Sequence, residues 1–432
     1  MTDDDLRDEF GDELTDALRV RSRRALAVPA ATETVVNVIH REPRMQSRRR
    51  ASLALAAAII LLAISVAISR DHGASHLRVA GSTSSTAHSS FRPPGTGVES
   101  WTWVSDDHGW ALIRKPCGGT VCIGLRETVD GGNTWTSLPA PDALEWAAAS
   151  ASETACTDRP CISSVRFANA HIGWLFGPAL FQTNDGGHTW TRVKSDTVVD
   201  VEAKNGVAMR ITTADRDCGG GCRYSVDRMQ LGSSSWQRLP AQPASRFPSL
   251  LLQGDDAYAV NIPNGAGAGE TDLELSRDHG ATWTEIADPC AEPADGYRTM
   301  AASAAPNGVF VVLCQSVEGR AAVQVSTDHG ATFGPRRDVP QTPLKTLGPI
   351  GAGTADDIAI AYADQEGSGA LISNNGGSTW RVTLAPPAIH TTTYFPQIGW
   401  EDGRTARASF NTGSIWTTRD AGATWTQQTV GP

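Results

Sequence analysis

Two groups of residues in this chain could carry chemistry, and the first is a repeated tripeptide, Asp-His-Gly. It occurs four times, beginning at Asp71, Asp107, Asp278 and Asp328. Aspartate and histidine serve as metal ligands and as general acids or bases, so several converging copies would form a metal or catalytic site. Two copies, however, lie inside a repeated octet that predicts separate tight turns, with His279 and His329 directed to solvent. The sequence therefore predicts surface turn residues, with no metal site and no cofactor.

The second group consists of eight cysteines, all of which follow residue 116: Cys117, Cys122, Cys156, Cys161, Cys218, Cys222, Cys290 and Cys314. An even number confined to one part of the chain predicts disulfides formed in an oxidising compartment. Close spacing favours the pairs Cys117–Cys122, Cys156–Cys161 and Cys218–Cys222, which leaves Cys290–Cys314. A structural zinc site is the alternative, although these spacings differ from paired C-x2-C motifs.

Other catalytic and binding signatures are missing from the sequence. There is no phosphate-binding glycine loop, no H-E-x-x-H motif and no serine-centred elbow. The formal net charge of −10 argues against sequence-independent binding to nucleic acid, because that attraction needs clustered cations.

The elements that must position any site are set by the octet Ser/Thr-x-Asp-x-Gly-x-Thr-Trp. Clear copies span 128–135, 183–190, 276–283, 326–333, 373–380 and 418–425, and a degenerate copy ends at Trp236. Successive closing aromatics are 55, 46, 47, 50, 47 and 45 residues apart, which is the length of a supersecondary unit. Seven such units are therefore expected.

Each octet predicts a strand-joining turn. The acidic position should accept hydrogen bonds from backbone N–H groups one or two residues ahead, and the glycine two residues later should supply a positive φ. The turn residues are Asp130, Asp185, Asp278, Asp328, Asn375 and Asp420. The closing tryptophans should provide apolar contacts between neighbouring sheets, and they are Trp135, Trp190, Trp283, Trp380 and Trp425.

Short alternating apolar runs precede the octets, for example at 309–313 and 358–362. Four strands in each of seven repeats predict an all-β fold, a seven-bladed β-propeller of four-stranded antiparallel blades, over residues 98–432. The loops around its central channel, above all 139–165 and 286–307, are the predicted binding surface.

The octet resembles the Asp-box, or BNR, repeat of sialidases, sortilin-type ectodomains, xyloglucanases and the photosystem II assembly-factor family, over about residues 98–430. A Gly-Trp pair at Gly109-Trp110, Gly173-Trp174 and Gly399-Trp400 is most similar to the assembly-factor branch. The resemblance implies that the box is a structural turn on the outside of the blades. It implies no particular activity.

A sialidase-like glycosidase is the alternative function. Residues 91–94, Phe-Arg-Pro-Pro, resemble the Phe/Tyr-Arg-Ile-Pro motif of sialidases but differ at the third position and precede the repeats. That resemblance would also require a tyrosine nucleophile and six blades. None of the five tyrosines, at 224, 258, 297, 362 and 394, has an activating local context. The sequence therefore predicts a non-catalytic module that binds or assembles a protein or glycan, with no catalytic residue.

Residues 51–69 form an uncharged apolar run of nineteen residues, which predicts one transmembrane helix. Ten arginines precede it and two follow within twenty residues, so the amino terminus should be cytoplasmic and the repeats extracytoplasmic. A cleaved signal peptide ending near Ala67 is the alternative, but the preceding leader is too long. A buried core helix is the third interpretation. The preference for arginine over lysine suggests a bacterial plasma membrane.

The segments on either side of this run have different compositions. Residues 1–50 are predicted to be a cytoplasmic tail, either an amphipathic docking helix over 4–26 for a cytoplasmic partner or a solvated, partly disordered segment. Residues 70–97 are rich in Ser, Thr, Gly and Pro and predict a flexible extracytoplasmic tether, in which His72 and His76 are linker residues.

Overall fold

The computed structural model describes residues 97–431, apart from short segments within that range. Those segments are 119, 147–155, 157–158, 215–222, 234, 244–248, 263–270, 292–295, 317, 341–345, 364–367, 385–396 and 411–412. The predicted tail, the transmembrane helix, the tether up to residue 96 and the Cys218–Cys222 pair lie outside the described residues. In the part of the chain that is described, no helix is long and apolar enough to cross a membrane.

The described residues form seven sheets, or blades, each made of consecutive strands that pair antiparallel, except for one parallel pair in blade 1. Blade 1 contains β1 (Gly97–Trp103), β2 (Gly109–Cys117), β3 (Thr120–Thr128), β4 (Thr136–Leu138), β5 (Leu144–Glu145) and β6 (Cys161–Ile162). Blade 2 contains β7 (Ser164–Phe167), β8 (Gly173–Phe176), β9 (Leu180–Thr183) and β10 (Thr191–Val193). Blade 3 contains β11 (Thr197–Lys204), β12 (Val207–Thr213), β13 (Tyr224–Gln230) and β14 (Gln237–Arg238).

The remaining four blades repeat the four-strand order. Blade 4 contains β15 (Ser249–Gln253), β16 (Asp256–Asn261), β17 (Asp272–Ser276) and β18 (Thr284–Ile286). Blade 5 contains β19 (Tyr297–Ala305), β20 (Val309–Ser316), β21 (Ala321–Ser326) and β22 (Arg337–Val339). Blade 6 contains β23 (Thr346–Ala352), β24 (Asp357–Ala363), β25 (Ser368–Asn374) and β26 (Arg381–Leu384). Blade 7 contains β27 (Gln397–Trp400), β28 (Ala406–Ser409), β29 (Ser414–Thr418) and β30 (Thr426–Thr429).

Hydrophobic cores lie between successive blades and close the ring. The core between blades 7 and 1 contains Ile415 and Val430 from blade 7 and Val98, Ala111 and Ile113 from blade 1. Six further clusters join the other neighbouring blades. The predicted seven-bladed propeller is therefore confirmed. Its ring closes through side-chain packing, because no described blade takes a strand from the other end of the chain.

The blades have two different ends. The turn between the first and second strands lies beside the octet turn between the third and fourth, as shown by backbone hydrogen bonds from Gly131 N to Asp107 O (2.8 Å) and from Gly186 N to His171 O (2.9 Å). We call this end the octet face. The second-to-third-strand turns and the connections between blades lie at the opposite end, which we call the loop face. The six cysteines in the described part of the chain fall in or beside the connections of the loop face.

The octet turn is held by a side-chain network that spans its full length. The carboxylate of Asp185 accepts hydrogen bonds from the backbone N–H (2.8 Å) and the hydroxyl (2.6 Å) of Thr189. The hydroxyl of Thr183 donates to Asp185 (2.7 Å) and accepts from the N–H of Gly187 (2.9 Å). The predicted donors one or two residues ahead are therefore wrong, because the left-handed residues after Asp185 bring the amide four residues ahead toward its side chain.

Two successive residues in each clear octet have positive φ. The first has φ between 54° and 76°, and it is His279, His329 or Ala421 in three copies and glycine in the others. The second is always glycine, with φ between 81° and 98°. Asparagine, histidine and, at some cost, alanine can occupy the left-handed helical region near +57°, whereas larger values are open to glycine alone. This difference explains why only the second position is invariant among the copies.

The octet aromatics pack against the preceding blade. Trp190 lies in the cluster that joins blades 1 and 2, and its indole N–H donates to the carbonyl of Pro139 (3.1 Å). Trp135 lies in the core between blades 7 and 1, while Trp283, Trp380 and Trp425 join the cores shared with blades 3, 5 and 6. Each octet therefore joins two blades as well as two strands.

The Gly-Trp pairs occupy two different places. Gly109 and Gly173 begin the second strands of blades 1 and 2, where a Cβ would collide with the rings of Trp103 and Phe167. Trp110 is fully buried and stacks on Phe167 with ring centroids 3.7 Å apart. The third pair, Gly399-Trp400, lies in the innermost strand of blade 7 and is not equivalent.

Substitutions at Asp185 test the role of the octet side chain. We expect Asp185→Ala to lower the melting temperature clearly, because the N–H and hydroxyl of Thr189 lose their acceptor. Asp185→Asn should be mild, since Asn375 makes the corresponding bond to the N–H of Thr379 at 2.9 Å. Thermal melts with and without a chelator provide the measurement. A melting temperature that depends on the chelator and falls equally for both variants would contradict the structural role.

Candidate functional site

Blade 1 carries an addition that the other described blades lack. After β4 the chain returns to the loop face, where Leu144 in β5 pairs with Cys122 in β3 and β6 runs parallel to β5. The N–H of Leu144 donates to the carbonyl of Pro160 at 2.9 Å. We call the described residues of this addition and of the adjoining hairpin end, 117–118, 120–122, 142–146, 156 and 159–162, the platform. The predicted loop 139–165 therefore contains two short strands, β5 and β6, at the loop face.

Two disulfides lie in the platform. The structure pairs Cys117 with Cys122 and Cys156 with Cys161, with Cα–Cα distances of 5.7 and 5.5 Å. All four cysteines pack with Leu144 in one apolar cluster. The third described disulfide, Cys290–Cys314, joins the connection between blades 4 and 5 to strand β20. No free cysteine is found among the described residues.

A buried charge cluster lies beside the platform. The carboxylate of Glu99 in β1 approaches the guanidinium of Arg114 at 3.3 Å, and Glu145 of β5 is fully buried. Burial raises the pKa of Glu99 to about 7; the charge of Glu145 raises it further and that of Arg114 opposes both effects. Neighbouring carboxyl groups, one of which has a raised pKa, are groups that general acid–base catalysis can use.

A second charge cluster joins the innermost strands of blades 2 and 3. Arg166 donates to the carboxylate of Glu202 at 2.5 Å and to the carbonyl of Val201 at 3.3 Å. Burial raises the pKa of Glu202 to about 7, against the opposing charge of Arg166, and burial also raises the pKa of Asp200. Both oxygens of Asp200 accept backbone N–H groups, from Val201 (2.8 Å) and Leu250 (2.9 Å).

Polar side chains of one blade satisfy the exposed inner edge of the next. Besides the bond from Leu250 to Asp200, Ser100 accepts the N–H of Val165 at 3.2 Å and Ser303 accepts the N–H of Ala352 at 3.0 Å. An unpaired strand edge needs such partners. Several of the polar residues on the innermost strands are therefore committed to holding the blades together.

The octet residues do not converge on a site. Asp130, Asp185, Asp278, Asp328, Asn375 and Asp420 each bond within their own turn on the octet face. Within the described residues, no group of three or more His, Cys, Asp or Glu side chains could hold a metal ion. The prediction that His329 points to solvent is wrong, because its Nδ1 lies 2.5 Å from Asp256 of blade 4. His279 is partly covered, with its Nε2 3.6 Å from Asp255.

The charged residues of the two clusters were not predicted from the sequence. Glu99, Glu145 and Glu202 each directly follow an apolar residue in a short strand, and a charge at such a position is the only local signal. It does not reveal which arginine will face each carboxylate, because Arg114 and Arg166 come from other strands.

The raised pKa values of Glu99 and Glu202 predict a pH-dependent stability. The ordinary pKa of a glutamate carboxyl is 4.5 and the folded-state pKa of each group is about 7, so between these values the folded protein retains protons that the unfolded chain has released. The contribution of these two groups to the free energy of unfolding should be fully present below pH 4.5. It should be lost as the pH rises through about 7. Urea midpoints across this range test the expectation, and Glu99→Gln with Glu202→Gln should flatten the dependence. An unchanged slope in the double variant would contradict it.

The octet carboxylates have the opposite effect. Hydrogen bonds from Thr189 hold the pKa of Asp185 down to about 2, and those from Thr134 do the same for Asp130. The stability that they contribute is present above 3.8, the ordinary pKa of an aspartate carboxyl, and is lost as the pH falls toward 2.

The similarities of this chain to known proteins are distant. No family model matches the chain, and no curated protein matches its sequence. Among solved structures, YCF48 bound to a D1 peptide is similar at 17% identity and a TM-score of 0.49, covering 76% of this chain and 94% of that one. YCF48 from Cyanidioschyzon merolae shows 15% identity and the same TM-score, covering 76% and 97%. A GH74 xyloglucanase from Xanthomonas campestris shows 12% identity and a TM-score of 0.28, covering 77% and 72%.

Proposed function

We propose that this chain is a non-catalytic propeller that binds or assembles a protein partner through its loop face, outside the membrane in which residues 51–69 anchor it. On this proposal the octets are Asp boxes that stabilise the blades and take no part in binding. The observation that carries the proposal is the platform of blade 1.

The platform has the properties of a binding surface and no role in completing a blade. Blade 1 already has four strands, and β5 and β6 extend its sheet at the loop face. The Cys156–Cys161 disulfide restrains the chain where it enters β6, which lowers the entropic cost of binding. Its Trp146 side chain is 42% exposed, and tryptophan is enriched among the residues that dominate protein interfaces.

The exported location is supported by the cysteines. Three disulfides lie in the described residues, and such bonds persist in oxidising compartments. Together with the arginine bias around residues 51–69, they favour an amino terminus in the cytoplasm. Alkaline phosphatase fused after Thr96 should be active. Activity only of a cytosolic reporter at that junction would reject the topology.

Site-specific photo-cross-linking tests the binding surface. A photo-reactive amino acid at position 146 of the full-length chain, in intact cells, should capture a discrete protein partner. Position 382 is the matched control, because Val382 is 51% exposed on β26, away from the platform. Identical products from the two positions, or none from position 146, would reject the platform as the binding surface.

A glycosidase is the second candidate function, and the Glu99–Glu145 pair is the observation that favours it. Glycosidases use two carboxyl groups, one with a raised pKa, on either side of the scissile bond. Against this, Glu145 is fully buried and Glu99 lies against Arg114, so both groups have protein neighbours where a substrate would have to enter. Assays of the full-length chain in detergent with aryl glycosides, sialosides included, distinguish the candidates. Turnover abolished by Glu99→Gln would establish hydrolysis and reject the non-catalytic proposal.

A further inference from the structure

The two cysteines of the first disulfide have different environments. Cys117, at the end of β2, is partly exposed, whereas Cys122 in β3 is only 5% exposed. The guanidinium Nη2 of Arg159 lies 3.3 Å from the sulfur of Cys122. Lys115 is the cross-strand partner of Cys122, and Asp142, which is largely exposed, pairs with Arg159. Cys117 is thus the more exposed of the two residues, while the sulfur of Cys122 lies beside a cation.

This disulfide is not needed to hold its hairpin. The backbone ladder of β2 and β3 runs without interruption from Gly109 opposite Thr128 to Cys117 opposite Thr120. The bond closes a sequence separation of only 5 residues. A disulfide that closes a short loop stabilises a fold less than one that closes a long loop, so we expect blade 1 to stay folded when this bond is cleaved.

The Cys290–Cys314 disulfide is built differently. Both of its cysteines are 0% exposed and it spans a sequence separation of 24 residues. A thiolate in solution cannot reach either sulfur while the blades are packed. The Cys290–Cys314 disulfide is therefore the unreactive reference, in the same molecule, against which the reduction of Cys117–Cys122 can be compared.

We propose that Cys117–Cys122 is a redox-active disulfide on the loop face that exchanges with dithiols in the folded protein. A thiolate of the dithiol attacks the sulfur of Cys117, forming a mixed disulfide, and the sulfur of Cys122 departs as a thiolate stabilised by Arg159. The second thiol of the reagent then attacks the reagent sulfur that is bonded to Cys117. The reagent closes into a disulfide and Cys117 is released. The dithiol loses two electrons, which reduce the protein disulfide, and Cys117 and Cys122 are left as thiol and thiolate.

Graded reduction of the full-length protein in mild detergent tests this inference. The protein is treated with dithiothreitol, quenched with N-ethylmaleimide, and the labelling of each cysteine is measured by peptide mass spectrometry. We expect Cys117 and Cys122 to be labelled at least about tenfold faster than Cys290 and Cys314, while tryptophan fluorescence stays native. Equal labelling rates for the two pairs, or labelling only as the fluorescence changes, would overturn it.

Variants of Arg159 separate leaving-group stabilisation from simple exposure. Arg159→Gln should slow the reduction of Cys117–Cys122 several-fold, and Arg159→Lys should largely restore the rate because it keeps a cation near Cys122. Arg192→Gln, at an exposed position on β10, is the matched control and should leave the rate unchanged. The same rate in Arg159→Gln and the wild type would refute the assigned role of Arg159. The wild-type comparison of the two disulfides remains decisive even if a variant fails to fold. Because it measures thiol chemistry alone, the result is independent of whether the platform binds a partner.

Discussion

Replacing Gly377 by alanine is expected to destabilise the propeller by about 2–6 kcal/mol. The backbone of Gly377 has φ of +92°, where a side chain costs about 1–3 kcal/mol. A Cβ at this position would also lie 2.4 Å from a methyl group of Val323 in blade 5, and such overpacking costs a further 1–3 kcal/mol or so. Urea unfolding of the purified chain measures the loss.

A double variant separates the two costs. Val323→Ala removes the methyl group that a new Cβ would strike, so the loss in Gly377→Ala with Val323→Ala should be smaller than the sum of the single losses. Ala421→Gly is the matched control in another octet, because Ala421 has φ of +55° and lies at the tolerant first position. It should change stability by no more than about 1 kcal/mol. Additive losses in the double variant would contradict the contact between blades.

Replacing Arg407 by alanine is the second large effect, because this side chain joins blade 7 to blade 1. Arg407 is fully buried; it pairs with Glu401 and donates to Thr417 Oγ1 (2.9 Å) and to the carbonyl of Asp106 (2.8 Å). Its guanidinium lies 3.3 Å from the ring centroid of Trp103. Truncation leaves Glu401, whose pKa is already raised by burial, without its counter-charge. Losing one partner of a buried pair costs about 3–5 kcal/mol.

The location of this effect is as informative as its size. Hydrogen exchange in Arg407→Ala should rise in β1 and β28, on the two sides of the closure, and stay unchanged in the strands of blade 4. Replacing both partners, as Arg407→Met with Glu401→Gln, should cost less than Arg407→Ala alone, since no charge remains unpaired. Uniform exchange across all seven blades would show that the ring does not open at this closure.

Much of the fold could be predicted from local sequence, because the octets are local structures. The bonds of Asp185 and Thr183 stay within seven consecutive residues, and so repeated copies report both the turns and the number of blades. The pairs Cys117–Cys122 and Cys156–Cys161 could be predicted for the same reason, because the two cysteines of each pair are close in sequence. The backbone N–H that donates to the acidic side chain of the octet was not predicted correctly. Its identity depends on two successive left-handed residues, which the pattern does not specify.

Only the general position of the candidate site could be predicted from the sequence. Loop 139–165 is long, which indicates a surface feature, but its return to pair with Cys122 depends on contacts between residues far apart in the chain. Glu99 pairs with Arg114, and Glu202 pairs with Arg166. Each pairing likewise depends on how two separate strands are placed side by side.

The sequence alone determined the repeat, the positions of the turns and the number of blades, because each depends on residue types at short and constant spacing. The tertiary structure alone decided how the ring closes, where Arg407 and the core of Val98 and Ile415 bring together residues about 300 positions apart. It also decided that Glu99 and Glu202 titrate near neutrality. A pKa responds to burial and to charges within a few ångströms, and neither can be read from the order of residues along the chain.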